Sequence, residues 1–99
     1  MTIALIHGIK VPRAHLAEFI SPTDNEWRGL DLVWDEELEF VYVGELLGDY
    51  MPGLGDHIQC DRPETDDNIR LRLKAALTED YLFSPNEIRL WLVRYAPEG

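Results

Sequence analysis

Four residues in one six-residue stretch could in principle bind a metal ion, and they are Asp56, His57, Cys60 and Asp61. The His-x-x-Cys spacing within this group can place two ligands on one zinc ion. A structural zinc site needs a second pair of ligands, and no second pair with matching spacing follows in the sequence. The other histidines, His7 and His15, are predicted on a strand and on a helix. We therefore interpret this stretch as a polar surface loop and predict no metal and no cofactor.

No complete catalytic set is readable in the sequence. His57 and Cys60 could form a thiolate pair, but no third group that would orient them lies nearby. Paired carboxylates such as Asp35 and Glu37 need burial or close contact to serve as acid and base, and a turn is exposed. The stretch PGLGD, residues 52–56, matches neither nucleotide-binding glycine motif. The sequence therefore predicts a protein that is not an enzyme.

The acidic residues are concentrated in the middle of the chain. The whole chain of 99 residues has a net charge of −10. Residues 24–67 contain fourteen acidic and two basic residues, a net charge of −12, whereas the remainder has a net charge of +2. Acidic residues aid solubility and discourage unwanted pairing at an exposed strand edge, but their concentration in one segment is more readily explained by a positively charged partner. A negative field of this kind repels nucleic acid and anionic lipid, and it favours encounter with a basic protein.

We therefore predict a small acidic binding or inhibitor protein that occupies the basic surface of a partner protein. A nucleic-acid-binding protein is an obvious class of target, because carboxylates can mimic the spacing of phosphates. By analogy of size and charge alone, phage-encoded anti-defence proteins such as anti-CRISPR proteins, and immunity proteins, are of this kind. The predicted partner-binding residues are Asp31, Asp35, Glu36, Glu37, Glu39, Glu45, Asp49, Tyr50, Met51 and Asp56.

The elements that must position these residues are those of a single α+β domain covering residues 1–99. Two sheet-forming runs joined by Asp35–Glu37 predict a β-hairpin, and apolar residues on both faces of residues 40–43 predict a central strand. In chain order, the predicted elements are a strand at residues 2–6 that residues 9–11 extend, a helix at 12–20, the hairpin strands at 27–34 and 38–46, a helix from Thr65 or Asp66 to residue 77, and a strand at 88–95. This βαββαβ order is typical of a ferredoxin-like antiparallel sheet of about four strands with two helices on one face.

Several details of these elements are also predicted. Gly8 is expected to break the first strand or to allow a bulge, and Pro12 to lie in the first turn of the first helix. Residues 48–63 are expected to form a long loop without regular structure. The second helix is predicted to bury a stripe at helical spacing, composed of Ile69, Leu73, Ala76 and Leu77.

Other features of the sequence bear on location and on alternative functions. The only cysteine, Cys60, fits a reducing cytosol, and no apolar run is long enough to span a membrane, so a cytoplasmic location is expected. Trp27, Tyr50 and Met51 would suit an interface if they are exposed. One alternative is a ligand-binding or enzymatic ferredoxin-like domain, and another is a structural subunit of a larger assembly. The candidate residues for a ligand-binding or enzymatic site are His7, His57, Cys60 and Arg94.

Overall fold

A computed structural model describes residues 2–50, 65–78 and 81–95 of the chain. It shows a small α+β domain with five β-strands and two α-helices in the described residues. The elements are β1 (Thr2–Pro12), α1 (Arg13–Leu16), β2 (Glu26–Trp27), β3 (Leu30–Trp34), β4 (Phe40–Tyr50), α2 (Asp66–Leu77) and β5 (Arg89–Tyr95), with a 3-10 turn at Pro85–Glu87 before β5.

The five strands form one antiparallel sheet in the order β2-β3-β4-β1-β5. The prediction that the strand at residues 40–43 is central is confirmed, because β4 lies between β3 and β1. The sequence predicted about four strands, with one strand at residues 27–34. A turn at residues 28–29 interrupts that strand, so Trp27 belongs to the additional strand, β2. Its two residues are too few to produce the alternation of apolar and polar residues by which a strand is recognised in a sequence.

β1 is longer than predicted and passes through Gly8 without a break. The prediction of a break or bulge at Gly8 was wrong. The register shift in the β1–β4 ladder lies between Leu5 and Ile6. Gly8 instead lies opposite Gly44 of β4, where the two backbones approach closely. A Cβ atom on either glycine would collide with the backbone of the opposite strand. Glycine at this pair therefore permits a continuous ladder along the two longest strands.

α1 is shorter than predicted and begins later. Pro12 was expected inside the first helical turn, but it ends β1 and is the N-cap residue of α1. The helix ends at Leu16, and turn structure follows over residues 17–19. Leu16 and Ile20 are nevertheless buried, as the predicted apolar face requires, whereas Phe19 is 42% exposed.

α2 confirms its prediction in the N-cap and in the buried face. The hydroxyl of Thr65 accepts a hydrogen bond from the backbone N–H of Asn68 at 3.3 Å. This bond satisfies one of the free N–H groups of the first turn. Asp66 and Asp67 follow in that turn, where the helix dipole favours negative charge. The four residues of the predicted apolar stripe are the buried residues of the helix.

The buried residues form two clusters on opposite faces of the sheet. The larger cluster contains Leu16 of α1, the buried stripe of α2, and β-strand residues such as Ile9 and Val43. Because successive strand residues point to opposite faces, Tyr42 belongs to the second cluster. The second cluster is composed of Ala4, Ile6, Val33, Tyr42 and Val93, with Phe40, Trp91 and Tyr95 packed against it. Both helices therefore contribute to the core on one face of the sheet.

The first residues of the predicted long loop belong to a strand. β4 runs to Tyr50, so residues 48–50 belong to a strand, which corrects the prediction that the loop starts at residue 48. Residues 51–64 lie outside the described part of the chain. In the described part, no helix is long and apolar enough to cross a membrane.

Candidate functional site

The turn that joins β3 to β4 brings together four of the predicted partner-binding residues. We call Asp35, Glu36, Glu37 and Glu39 the acidic tip. Local hydrogen bonds define its shape: the carbonyl of Asp35 accepts from the N–H of Leu38 at 3.1 Å, and the Asp35 carboxylate accepts from the N–H of Glu39 at 3.0 Å. Leu38 has a φ of +58°, a left-handed conformation that reverses the chain. The sequence prediction of a hairpin at this position is confirmed.

The acidic tip is exposed and its charges are not neutralised by the described residues. The side chains of Glu36, Glu37 and Glu39 are exposed, and Asp35 is half-buried. No cationic side chain in the described part of the chain forms an ion pair with any of the four. The base of the tip is held to α1, because the N–H of Arg13 donates to the carbonyl of Glu39 at 2.9 Å. Four carboxylates within five residues are thus presented to solvent at one end of the sheet.

Two other predicted partner-binding residues have structural contacts instead. The carboxylate of Asp31 in β3 accepts a hydrogen bond from the N–H of Leu46 at 2.7 Å. Glu45 in β4 lies 3.7 Å from the guanidinium of Arg72 on α2. Asp31 pairs with Gly44, the residue before Glu45, so Asp31 and Glu45 point to opposite faces of the sheet. These two acids therefore do not share a surface.

Two further predicted partner-binding residues lie at the opposite end of β4 from the acidic tip. Asp49 and Tyr50 end β4 and pair with Ala4 and Ile3 at the start of β1. Tyr50 lies ten positions after Phe40 along β4, a distance of about 30 Å at the usual rise per residue. Met51 and Asp56 lie outside the described residues. The structure therefore places the acids at two ends and on two faces, with one dense group at the tip.

The candidate metal-binding stretch, residues 56–61, lies outside the described residues. Within residues 2–50, 65–78 and 81–95, no group of three or more His, Cys, Asp and Glu side chains could hold a metal ion. His15 lies on α1, where its ring contacts the ring of Tyr81 edge-on, with 5.2 Å between the ring centres. His15 is exposed, and its ring packs against Tyr81, which in turn packs against the larger core cluster.

His7 is buried between the sheet and α2. Its Nε2 lies 2.7 Å from a carboxylate oxygen of Asp66, the first residue of α2. Its Nδ1 is buried and has no hydrogen-bond partner among the described residues. Arg94, the other described candidate for a ligand-binding site, is on β5 opposite Ile3, whereas His7 is opposite Leu90. The structure therefore does not bring His7 and Arg94 together. The contact of His7 with Asp66 instead attaches the first turn of α2 to the sheet.

Sequence analysis missed a pocket of about 350 Å³ at the junction of β1, β5 and the 3-10 turn. We call it the cationic pocket, and its lining residues are Lys10, Asn86, Glu87, Arg89 and Trp91. Lys10 and Arg89 lie far apart in the sequence, so only the pairing of β1 with β5 brings them together. The sequence contained one indication of this pocket: Arg89 and Trp91 are two residues apart, so they lie on the same face of the predicted last strand.

Trp27 is not an exposed interface residue. It is half-buried and packs against the core on the helix side of the sheet. The guanidinium of Arg28 lies 4.4 Å from the centre of its ring, a distance at which a cation is attracted to the ring face. Its ring centre is 6.2 Å from that of Phe19. These contacts give Trp27 a role in stability.

Comparison of this chain with protein-family models, with curated proteins and with solved structures finds no match.

Proposed function

We propose that this protein is a small, non-catalytic binding protein that uses the acidic tip to occupy a basic surface on a partner protein. The observation that supports this proposal is the unneutralised group of carboxylates at the β3–β4 turn. Like charges held this close repel one another, and a cationic partner would relieve that repulsion. The hairpin holds the group on a defined backbone, so little ordering would be needed on binding.

A nucleic-acid-binding protein is the partner class that this proposal favours. Such a protein has a groove lined with Lys and Arg, spaced to contact successive phosphates. The exposed carboxylates of Glu36, Glu37 and Glu39 offer several negative charges along a short stretch of chain. Inhibition by occupation of such a groove in the cytoplasm is the proposed mode of action. Direct binding of the protein to nucleic acid or to an anionic membrane is not expected, given its net charge of −10.

We infer that the frame carrying this tip is a ferredoxin-like arrangement. The order of the four longer strands, β3-β4-β1-β5, and the burial of both helices in one cluster support it. β2 would then be a short addition at the edge beside β3. In this arrangement the β3–β4 turn protrudes from one end of the sheet, which suits insertion into a groove.

The test is capture of partners from a lysate of the protein's own cells, at low and at high salt, followed by mass spectrometry. We expect a basic, nucleic-acid-handling protein that is retained at low salt and lost at high salt. The double variant Glu36→Lys and Glu37→Lys should lose this protein at low salt. Asp35 is left unchanged because its carboxylate holds the turn. This double variant changes the net charge from −10 to −6.

The matched control is the double variant Glu18→Lys and Asp67→Lys, which makes the same change in net charge at exposed positions away from the tip. It should retain the partner almost as well as the unchanged protein. Equal capture by both double variants would reject the acidic tip as the binding site. Retention that does not depend on salt would reject an electrostatic mode of binding.

A second candidate function is the binding of a small ligand on the sheet face opposite the helices. The cationic pocket favours this function, because it combines charged side chains and an aromatic ring in a concave site.

A further inference from the structure

The cationic pocket lies on the face of the sheet that carries the second, smaller core cluster. Trp91 packs against that cluster, and its indole N–H donates to the carbonyl of Gly8 at 2.9 Å. This bond fixes the ring across β1, beside the backbone of the Gly8–Gly44 pair. Gly8 pairs with Arg89, and Lys10 lies two residues further along β1 on the same face. The pocket is therefore built on two hydrogen-bonded strands.

Its two cations have no ion pair with any described residue, although the chain contains 19 acidic residues. The ammonium of half-buried Lys10 lies 4.2 Å from the centre of the Phe40 ring and 6.0 Å from that of Tyr42. The guanidinium of Arg89 lies 6.0 Å from the centre of the Trp91 ring, and its Nε donates to the carbonyl of Asn86 at 3.4 Å. Aromatic rings therefore position the Lys10 ammonium, and an aromatic ring and a backbone carbonyl position the Arg89 guanidinium.

The carboxylate in the pocket is already engaged elsewhere. Glu87 accepts a hydrogen bond from the N–H of Ser84 at 2.6 Å, which closes the capping box of the 3-10 turn. Burial, followed by the charge and hydrogen bond of Glu87, raises the pKa of the Tyr81 phenol. Glu87 therefore serves Ser84 and Tyr81, and the two cations remain free to bind an anion. With two positive charges and one negative charge, the pocket lining has a surplus of one positive charge.

We infer that the cationic pocket binds a small planar organic anion with a single carboxylate. Lys10 and Arg89 would bind the carboxylate, and the Trp91 ring would contact the planar part of the ligand. A volume of about 350 Å³ is near the lower end of the range for small-molecule sites. The acidic tip ends just before Phe40, which pairs with Pro12 of β1, so the tip lies at the same end of the sheet as Lys10. Its negative field favours a singly charged ligand over a doubly charged phosphate ester.

The experiment is a titration of the isotope-labelled protein with benzoate, followed by amide and indole NMR shifts. Benzamide is the neutral probe of the same shape, and phenyl phosphate is the doubly charged probe. We expect saturable shifts at Lys10, Arg89 and the Trp91 indole with benzoate, and affinities at least tenfold lower for benzamide and lower for phenyl phosphate. The variants Lys10→Gln and Arg89→Gln should each weaken benzoate binding about tenfold, because each removes a charge-assisted contact.

Lys74→Gln is the matched control, since it removes the same charge from an exposed residue on α2, which packs against the other face of the sheet. It should leave benzoate binding unchanged. The same spectra show whether each variant is folded, so a failure of folding cannot be confused with a loss of binding. Equal affinity for benzoate and benzamide, equal weakening by Lys74→Gln, or shifts that do not saturate up to millimolar benzoate would overturn the inference.

Discussion

At the scale of single residues, the glycine pair between β1 and β4 places a close steric constraint on the fold. Gly8 and Gly44 lie opposite each other in the longest ladder of the sheet. A Cβ on Gly44 would collide with the carbonyl of His7, and a Cβ on Gly8 with that of Val43. Both obstacles are backbone atoms of a central strand pair, so neither can rotate away as a side chain could. Any larger residue must separate the strands.

We predict that Gly44→Ala lowers the free energy of unfolding by about 3 kcal/mol. Urea denaturation followed by circular dichroism would measure the loss. Gly29→Ala is the control: Gly29 has a φ of +81° but open space around it. Only conformational strain applies there, so the loss should be about 1 kcal/mol. A similar cost at both positions would show that the close approach of β1 and β4 is not the controlling factor.

The pairing of Gly8 with Gly44 could not be predicted from the sequence. A glycine within an apolar run usually indicates a break or a bulge, and that was the expectation for Gly8. The register that places Gly8 against Gly44 depends on a ladder between segments far apart in the chain. The acidic tip was predictable because its hairpin is local. The cationic pocket was not, because its cations meet only through the β1–β5 pairing.

At the scale of elements, local signals determined how well each helix was predicted. α2 has a threonine N-cap, acidic residues in its first turn and a complete apolar stripe, and all of these lie within the segment. α1 has only four residues, and its N-cap, Pro12, makes no side-chain capping bond. Leu16, which ends α1, and Ile20, which lies beyond it, are both buried, although the helix does not extend from one to the other. Burial therefore could not define where α1 ends.

The attachment of α2 to the sheet leads to a prediction about Asp66. The Asp66 carboxylate contacts the buried ring of His7, whose other nitrogen has no partner among the described residues. Asp66→Ala would leave the ring buried without this hydrogen bond, and we expect a loss of about 2 kcal/mol in the free energy of unfolding.

Asp67→Ala is a close control for this prediction. Asp67 also lies in the first turn of α2, so its removal costs the same interaction with the helix dipole. Asp67 forms no hydrogen bond or ion pair with His7, and the expected loss is about 0.5 kcal/mol. Chemical denaturation of the two variants under identical conditions measures the difference. If the two losses were equal, the His7–Asp66 contact would contribute nothing to stability beyond the dipole.

At the scale of the whole molecule, charge rather than packing distinguishes this protein. The sheet and α2 bury a continuous apolar core, and those residues explain the fold. The acidic tip contributes nothing to that core, and its carboxylates have no cationic partner among the described residues. Clustered like charges reduce the stability of the folded state. A surface feature that is expected to lower stability is accounted for if the surface binds a partner.

This trade-off predicts that one double variant has opposite effects on stability and on binding. The double variant Glu36→Gln and Glu37→Gln removes two adjacent charges from the tip and should raise the free energy of unfolding by about 0.5 kcal/mol at low salt. The gain should shrink at high salt, because salt already screens the repulsion. The same variant should capture less of the basic partner.

Glu18→Gln provides the comparison, because Glu18 is exposed and has no acidic neighbour within five residues in the sequence. Its removal should change neither stability nor partner capture measurably. Denaturation at two salt concentrations, together with the capture experiment, would measure both effects. A tip variant that is less stable than the unchanged protein would mean that these carboxylates hold the turn together. Their exposure would then reflect local structure, and the case for a binding surface at the tip would fail.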